Sequence, residues 1–471
     1  MLLLKAVPAV LLFLLSGHVV LKLADRRAEA SFGPLSYAAV SFMLGLAAVS
    51  LQMFLYSIAS VPFSAPLIAG PWIAAAVAMT FHRAFKRTAF RTDGQPLGPA
   101  GWFLLAVILS QAAYSFAYAL TMPLSGWDAW FIWFVKARAF FMDGFVNAAF
   151  LNDPVYAQDH PEYPLLVPLA VSWIYTAIGA AQEEAGKLIW PMQFCALLAI
   201  FHYGLRKFSG SRRTALVFTA LLSMTPIVLV HAAGFAVKLK GVQMGDLTGY
   251  ADLALATYFL GAGLFIFLYA RDKRPPFAYI ASLMLASGAW TKNEGLAFAL
   301  LGFAALALVA LFKGRRDLRT IALSIAPPAL FIIPWSVYKS SYGLGSEYVE
   351  SMGASVFFSN LARLGQIIPY GADFMFLKTG VMGLVWWAWA LAAVAGFRDV
   401  LSSKSAVMHW LILGQLSVYV FVYIITPVDL KWHLGTSFDR LLLHLAPLAL
   451  LAASVHLSAL AGQNGEGRRR T

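Results

Sequence analysis

The chain has 471 residues, of which 60% are hydrophobic and only 12% are charged. A soluble domain carries about twice that charged fraction, so the composition excludes an ordinary water-soluble enzyme. In a soluble protein the formal net charge of +13 would suggest a nucleic-acid partner. In a chain this apolar it instead predicts positive segments at a membrane surface and no nucleic-acid partner. The single cysteine, Cys195, cannot form an internal disulfide and is expected to be a small buried hydrophobe.

Apolar segments of about 17–25 residues recur along the chain, and a helix of this length crosses a bilayer. The candidate spans are residues 6–23, 36–60, 65–82, 100–122, 187–205, 213–232, 250–270, 277–292, 295–312, 321–339, 380–397, 407–426 and 441–460. The sequence therefore predicts an all-α polytopic membrane protein with about 13 transmembrane helices and no soluble domain.

Basic residues follow the spans at alternating ends, and the positive-inside rule places these clusters in the cytoplasm. The clusters are Arg26 and Arg27; Arg83, Lys86, Arg87 and Arg91; Arg206, Lys207, Arg212 and Arg213; Arg271, Lys273 and Arg274; Lys313, Arg315, Arg316 and Arg319; Arg398 and Lys404; and Arg468 to Arg470. This pattern predicts a multi-pass membrane protein. Its N-terminus would lie outside, and its C-terminus, with a disordered polar tail at 461–471, would lie in the cytoplasm.

One apolar run conflicts with this alternation. Residues 163–181, YPLLVPLAVSWIYTAIGAA, are long enough to span, yet a span here would place every later basic cluster outside. Pro164 and Pro168 also interrupt the beginning of the run. We therefore expect it to be re-entrant or to lie along the membrane surface, where protein or a wet cavity covers its backbone.

Ionisable residues gather at the predicted outer ends of the helices, and such residues near membrane depth are functional candidates. The first is Asp128, in the stretch SGWDAWFIWFVKARAFF at 125–141. As a helix, this stretch would share one apolar face: Trp130, Trp133, Phe134, Ala137 and Phe141. The pattern predicts an outer interfacial helix with Asp128 on the opposite face. Asp128 is then either a catalytic carboxylate or a helix N-cap.

Two further outer segments carry carboxylates. In DHPEYPLL, the residues His160, Glu162 and Tyr163 could shape a substrate site or bind a metal, although their spacing matches no recognised ligand motif. The prolines of this segment equally predict a simple turn before a helix. In GDLTGYADLAL, Asp246 and Asp252 flank a glycine-containing turn at the beginning of a helix, and either carboxylate could cap that helix.

The stretch WTKNEGLAF separates two apolar runs and predicts a tight outer turn between antiparallel helices. Turns use Asn and Gly routinely, but they do not require Lys292 and Glu294 at a membrane surface. Lys292 is well placed to meet a lipid phosphate, and Glu294 could hold Lys292 in place.

The stretch TPVDLKWHLGTSFDRLLLHLAPL leads into the last predicted span. It contains His433 and Arg440, and His444 lies one turn inside the span. Arginine binds phosphate with a planar fork. The alternative for these residues is snorkelling at the membrane interface, which is common at helix ends.

In the order of these motifs the chain resembles the bacterial integral-membrane glycosyltransferases of the type C fold (GT-C). This superfamily contains protein mannosyltransferases, the aminoarabinose transferase of lipid A and oligosaccharyltransferases. The matching stretches are GWDAW, HPEYPLL, GYADLALA, WTKNEG and FDRLLLHLAPL. The resemblance covers residues 100–460, a GT-C-like catalytic module with outer loops at 123–163 and 340–379. Residues 1–99 would be an additional unit of three transmembrane helices. Glu162 and Tyr163 depart from the HPPL motif of mannosyltransferase-like members.

The resemblance implies inverting transfer of a sugar from a polyprenyl-phosphate donor to an acceptor hydroxyl on the non-cytoplasmic face of a bacterial inner (plasma) membrane. The expected general base is Asp128, and Asp252 would position the acceptor or a metal. The expected donor-phosphate ligands are Lys292, Arg440 and Arg138, and the alternative for Arg138 is a simple anchor to lipid headgroups. The expected substrate-shaping residues are His160, Glu162, Tyr163, Asn293, Glu294 and His433. A divalent cation, magnesium or manganese, stays an open cofactor, with candidate ligands Asp128, Glu162 and Asp252. The acceptor would be a glycan, a glycolipid or a protein.

Two other function classes stay open. A transporter or flippase for a lipid-linked sugar binds the same lipid but needs polar groups along a pathway, whereas polarity here is predicted near one face. A polymerase or ligase that moves a whole lipid-linked glycan usually has a large outer loop with Arg and His. The loop at 340–379 is poor in both.

Overall fold

The computed structural model describes residues 2–85, 88–90, 96–155, 160–234, 237–239, 242–244, 246–312, 318–345, 352–398 and 404–467. The first half contains helices α1 (Leu2–Ala24), α2 (Ala28–Ser31), α3 (Pro34–Ile58), α4 (Ala65–Phe81), α5 (Pro99–Thr121), α6 (Val135–Asp143), α7 (Ala148–Leu151), α8 (Leu166–Ile178), α9 (Glu183–Lys187), α10 (Ile189–Ser209), α11 (Arg212–Ser223) and α12 (Pro226–Ala233). The second half contains α13 (Asp252–Asp272), α14 (Pro275–Ala289), α15 (Asn293–Phe312), α16 (Leu318–Ser341), α17 (Ala354–Ser359), α18 (Leu364–Ala372), α19 (Thr379–Met382), α20 (Val385–Ala395), α21 (Ala406–Ile425) and α22 (Leu430–Gly467).

Short elements complete the described chain. Two three-residue strands, β1 (Val237–Leu239) and β2 (Val242–Met244), pair antiparallel in a small hairpin. The other short elements are the π-helical turns Ala129–Phe134 and Asp373–Leu377 and the 3₁₀ turns Arg83–Phe85 and Leu361–Arg363. The remaining regular structure of the described residues is helical, as the apolar spans of the sequence predict.

Nine helices in the described part of the chain are long and apolar enough to cross a membrane. A tenth span results if α11 and α12, which bend by 65° at Pro226, are counted as one broken helix. A polytopic helical membrane protein is therefore confirmed, but the predicted count of about 13 is not. The predicted spans at 65–82, 277–292 and 380–397 correspond to helices of 17, 15 and 11 residues, which is short of the roughly 20 that a bilayer requires.

Helix α13 is the centre of the bundle. Every residue from Asp252 to Ala270 is buried, and the helix packs against α10, α14 and α22. A helix that is apolar all round belongs inside a larger assembly of helices. The position of α13 therefore brings its two ends to the two ends of the bundle, about 30 Å apart at 1.5 Å per residue.

Basic residues from distant segments gather at the C-terminal end of α13. Arg271 donates a hydrogen bond to the carbonyl of Lys207 at 2.9 Å, and Lys404 donates to the carbonyl of Arg271 at 3.3 Å. Arg274 lies 3.4 Å from the carboxylate of Asp25. We call this region the basic end. Predicted basic residues 86, 87, 91, 313, 315, 316 and 468–470 lie outside the described residues.

The segment predicted to be re-entrant forms α8. Eleven of its thirteen residues are buried, and it packs against α1, α3 and α6. It ends at Gly179, whose φ of 75° lies in the left-handed region. At about 20 Å it is shorter than a bilayer core, and the surrounding helices cover it, which agrees with the prediction that it does not span.

The prediction that the aromatic residues after Asp128 share one face of a helix is wrong. Trp133 is 1% exposed and Phe134 is buried, but Trp130 is 53% exposed. The cause is the π-helical turn Ala129–Phe134, because a π-turn changes the angular spacing that the α-helical pattern assumes. Such turns occur frequently at functional sites.

The C-terminal helix also differs from its prediction. The predicted span begins at residue 441, whereas α22 begins at Leu430 and runs to Gly467. Polar residues of the first three turns lower the hydropathy without ending the helix. The described part of the predicted disordered tail, 461–467, continues this helix, and 468–471 lie outside the described residues.

Candidate active site

Five charged side chains from separate segments meet at the N-terminal end of α13. We call them the charged cluster: Asp128, Asp252, Lys292, Glu294 and Arg440. They come from the residue before the π-helical turn, the first residue of α13, the turn between α14 and α15, the first turn of α15, and α22. This end lies opposite the basic end along α13.

Asp252 is the centre of the cluster and is only 2% exposed. One carboxylate oxygen, Oδ1, lies 3.1 Å from Lys292 Nζ and 2.8 Å from His444 Nε2. The other oxygen, Oδ2, lies 3.8 Å from an Arg440 nitrogen and 3.9 Å from His231 Nε2. Because Asp252 is enclosed by these partners, its geometry favours positioning of the cations over direct contact with a substrate.

Arg440 forms the bridge between Asp128 and Asp252. Its Nη1 contacts Asp128 Oδ2 directly, and its Nε donates to the carbonyl of Thr436 at 3.1 Å. The guanidinium carbon also lies 5.3 Å from the centre of the Tyr250 ring, a cation–π contact. Asp128 is 19% exposed, Arg440 is 14% exposed and Glu294 is 22% exposed, so these three residues form the accessible edge of the cluster.

Tyr250 connects the π-helical segment to this edge. Its hydroxyl accepts a hydrogen bond from the backbone N–H of Asp128 at 3.2 Å. A Cβ on Gly126 would lie 2.6 Å from the Tyr250 ring, so only glycine allows this close approach. Burial raises the pKa of Tyr250 to about 12, and the hydroxyl therefore stays protonated at neutral pH.

Lys292 lies in the tight turn between α14 and α15. A Cβ on Gly295 would come within 1.9 Å of the Gly288 carbonyl oxygen, so a glycine here lets the two helices approach closely. Lys292 Nζ lies 3.0 Å from Glu294 and 6.0 Å from the centre of the Tyr163 ring. Burial alone would lower the pKa of Lys292, but the carboxylates of Asp252 and Glu294 outweigh it and raise the pKa above its usual value.

Two buried histidines belong to the site. His444 Nε2 contacts Asp252, and its Nδ1 lies 3.0 Å from the Tyr419 hydroxyl. His231 Nδ1 lies 2.9 Å from the carbonyl of Ile227, whereas its buried Nε2 has no hydrogen-bond partner in the described part of the chain. The sequence gives only a weak signal for His231, a single polar residue within the apolar run IVLVHAAG.

The predicted substrate-shaping residues divide into two groups. His160 and Glu162 lie 3.2 Å apart, and the His160 ring stacks on Tyr163 at 4.5 Å. Because Tyr163 also lies beneath Lys292, these three residues border the cluster. Their role in shaping the substrate site stays a prediction.

Of the other predicted residues, Asn293 stands between two members of the cluster in the sequence, Lys292 and Glu294, whereas His433 and Arg138 have other neighbours. His433 bonds Thr426 Oγ1 at 2.9 Å and packs against the Tyr423 ring. Asn293 is the first residue of α15. Arg138 lies exposed on α6, and no described contact joins it to the charged cluster. Its predicted role as a phosphate ligand is not supported by this position.

The helix-cap interpretation of the two catalytic candidates is wrong. The Asp128 side chain makes no capping hydrogen bond at the π-helical turn that follows it. Asp252 is the first residue of α13, after the cap position Ala251, and its side chain pairs with cations instead. Asp246 has a local role, because it accepts hydrogen bonds from Ser125 Oγ at 2.7 Å and from the Thr248 N–H at 2.9 Å.

Among the described residues, no group of three His, Cys, Asp or Glu side chains has the arrangement of a metal site. The predicted candidate ligands are also separated, since Arg440 lies between Asp128 and Asp252, and Glu162 pairs with His160. Use of magnesium or manganese stays an untested prediction.

The charges of the cluster do not balance. Three carboxylates face two cations, and Glu294 Oε2 is buried without a hydrogen-bond partner in the described part of the chain. An accessible carboxylate at such a site can accept a proton. The two cations beside it can stabilise the negative charge of a phosphate. Comparison with protein-family models finds no match, and comparisons with curated proteins and with solved structures find none either. The chemistry of the site is therefore argued from its own residues.

Proposed function

We propose that the protein is a membrane glycosyltransferase that uses a polyprenyl-phosphate-linked sugar. The observation that carries this proposal is the meeting of Asp128, Lys292 and Arg440 at one end of an apolar helical bundle. A lipid-linked donor has its acyl chain in the bilayer and its phosphate at the membrane surface. An enzyme for such a donor needs cations at a helix end and a carboxylate beside them, and the charged cluster combines both.

The proposed reaction is a single displacement. The acceptor oxygen forms a bond to the anomeric carbon while the bond from that carbon to the phosphate oxygen breaks. The leaving phosphate keeps the electron pair, and the proton of the acceptor hydroxyl goes to Asp128. Such a proton transfer contributes about 10²–10⁴-fold to the rate, and attack opposite the leaving group inverts the anomeric centre.

The other cluster residues support this chemistry. Lys292 and Arg440 stabilise the charge that develops on the phosphate, a contribution that is large in a site shielded from water. Asp252 and Glu294 hold Lys292 at 3.1 and 3.0 Å, and Asp252 also lies 3.8 Å from Arg440. The loop that contains His160, Glu162 and Tyr163 borders the opening and would contact the acceptor.

The proposed location follows from the two ends of the bundle. Basic residues at the opposite end suit the cytoplasmic side of a bacterial inner membrane. The charged cluster would then open to the periplasmic or extracellular side, with the N-terminus outside. Cysteine labelling of the turn at Lys292 from each side of intact cells tests this orientation.

Donor binding tests the proposal directly. Purified protein in nanodiscs is titrated with a panel of polyprenyl-phosphate sugars, and its melting temperature is recorded for each. We expect one donor to stabilise the wild type but not the Lys292→Ala/Arg440→Ala double variant. Lys378→Ala serves as a matched control, because Lys378 forms a partly exposed ion pair with Asp373 away from the cluster. Stabilisation by none of the donors, or equal stabilisation of the double variant, would contradict the proposal.

One observation favours a transporter or flippase as the second candidate. His409 and His456 form a buried Nε2–Nε2 contact of 2.8 Å, and Trp389 donates to His409 at 3.1 Å. Polar groups inside the membrane are typical of transport pathways. Donor-dependent stabilisation without sugar transfer to any acceptor would favour this candidate.

A further inference from the structure

We propose that the ion pair between Arg440 and Asp128 is a latch that the donor phosphate opens. In this mechanism the phosphate takes over the Arg440 guanidinium, Asp128 is released, and the donor therefore binds before the acceptor. The inference rests on the proposed function. It adds that the donor binds before the acceptor and that the donor phosphate determines when Asp128 can act as the base.

Asp128 is occupied in the unliganded protein, because one of its carboxylate oxygens contacts Arg440 directly. Charge-assisted hydrogen bonds between a guanidinium and a carboxylate are stronger than neutral ones. The carboxylate is therefore placed at the site but is held by Arg440 until that contact breaks.

Contacts other than the one with Asp128 also hold the Arg440 side chain in place. Its Nε donates to Thr436, it lies over the Tyr250 ring, and Asp252 lies 3.8 Å from it. The guanidinium can therefore stay in place when Asp128 leaves. A phosphate presents several oxygens to the same planar fork, so it competes with the carboxylate for the same donors.

The balance of charge selects which carboxylate leaves. The cluster already contains three carboxylates and two cations. A phosphate bound at Arg440 adds another negative charge and competes with the two carboxylates that face this guanidinium, Asp128 and Asp252. Asp128 costs less to displace, because its side chain is 19% exposed and that of Asp252 is 2% exposed, whereas Glu294 pairs with Lys292 instead.

Hydrogen exchange tests the latch. The Asp128 amide lies at a helix N-terminus, where it has no acceptor within its own helix, and it donates to Tyr250 instead. We would measure exchange of the peptide at 125–135 in nanodiscs, with and without undecaprenyl phosphate that carries no sugar. Melting temperature in the same samples reports whether the lipid phosphate binds.

The latch predicts that undecaprenyl phosphate accelerates exchange at 127–131 in the wild type by roughly two- to tenfold, the effect of losing about one hydrogen bond. Asp128→Asn should exchange fast without the lipid and should not respond to it. Asp373→Asn, which alters a partly exposed ion pair with Lys378, is the matched control and should respond like the wild type. If the lipid stabilises the protein but exchange at 127–131 does not change, the latch is overturned and the proposed donor site stands. If the lipid does not bind at all, both are overturned.

Discussion

Buried ion pairs occur at both ends of the bundle, but their construction differs. At the basic end, Lys22 Nζ lies 2.8 and 2.9 Å from the two oxygens of Glu29 and 2.8 Å from the Arg26 carbonyl oxygen, so its three donors are all used. These residues lie within eight positions of one another in the sequence. At the other end, the charged cluster joins Asp128 to Arg440 across 312 positions.

The difference shows which buried charges indicate function. The Lys22–Glu29 pair is local, balanced and satisfied, which is sufficient for a structural connection between α1 and α2. The charged cluster has an excess carboxylate, a buried unpartnered oxygen on Glu294 and an accessible edge. Because buried charges cost stability unless they are paired, a cluster with an excess carboxylate is a candidate functional site.

The largest expected effect is on catalysis at the cluster. Asp128→Asn removes the proposed base while keeping the size of the side chain, and sugar transfer should fall by about 10²–10⁴-fold. Transfer is measured with the donor identified by the stabilisation panel, at equal amounts of folded protein. Asp373→Asn, which alters a partly exposed ion pair with Lys378, is the matched control and should retain activity. Full transfer by Asp128→Asn would remove Asp128 from the mechanism.

Lys292→Met should lower both stability and donor binding. The substitution leaves Asp252 and Glu294 without their cation, and breaking a buried pair in this way costs about 3–5 kcal/mol. Chemical unfolding in detergent measures the first effect, and donor-dependent stabilisation measures the second. A variant that kept wild-type stability would show that the cluster is not buried as described.

Lys22→Met should separate the two ends of the molecule. It breaks a pair of similar burial, so a loss of about 3–5 kcal/mol is expected here as well. The folded fraction should nevertheless bind the donor like the wild type, because the basic end is about 30 Å from the cluster. If the Lys22→Met variant lost donor binding at a temperature where it is folded, the Lys22–Glu29 pair would not be purely structural.

The Lys22–Glu29 pair should also make the protein sensitive to acid. Burial alone would raise the pKa of Glu29, but the hydrogen bonds and charge of Lys22 outweigh it and lower the pKa below 4.5. Because the folded pKa is below the unfolded one, this stabilisation is complete above about pH 4.5 and is lost as the pH falls through the folded pKa. The melting temperature of Glu29→Gln should therefore change less than that of the wild type between pH 5 and pH 3. Equal slopes would contradict this assignment.

The smallest effect is expected at Lys378 and Asp373, whose nearest charged atoms lie 3.7 Å apart and are partly exposed. Exposed pairs contribute about 0–1 kcal/mol, since water screens them. Lys378→Met should leave the midpoint of unfolding nearly unchanged. A loss as large as that of Lys292→Met would show that burial is not what distinguishes the cluster.

The sequence predicts which residues form the site better than it predicts which of them contact one another. Asp128, Lys292 and Arg440 each interrupt or border an apolar run, and the alternation of the spans brings such residues to one end. The partners within the cluster depend on helix rotation and on packing across hundreds of residues, which no local pattern reports. His231 is the clearest case, because a single histidine in an apolar helix is also typical of an ordinary core.

The helix boundaries fail for a related reason. Hydropathy detects the apolar part of a helix, so it misses the polar turns at 430–440 that precede the last predicted span. It also assumes α-helical spacing, which the π-helical turn after Asp128 does not follow. Both errors occur at the charged cluster, where polar residues and irregular backbone coincide.

The central claim is that the charged cluster, and not the basic end, binds a lipid-linked phosphate. Photocrosslinking tests it most directly: wild-type protein in nanodiscs is irradiated with a polyprenyl phosphate whose photoreactive group lies next to the phosphate. We expect crosslinks in the peptides that contain Asp128, Tyr250 or Lys292. Excess unlabelled lipid should abolish these crosslinks. Competed crosslinks confined to the peptides of Arg26, Lys207 or Arg271 would contradict it.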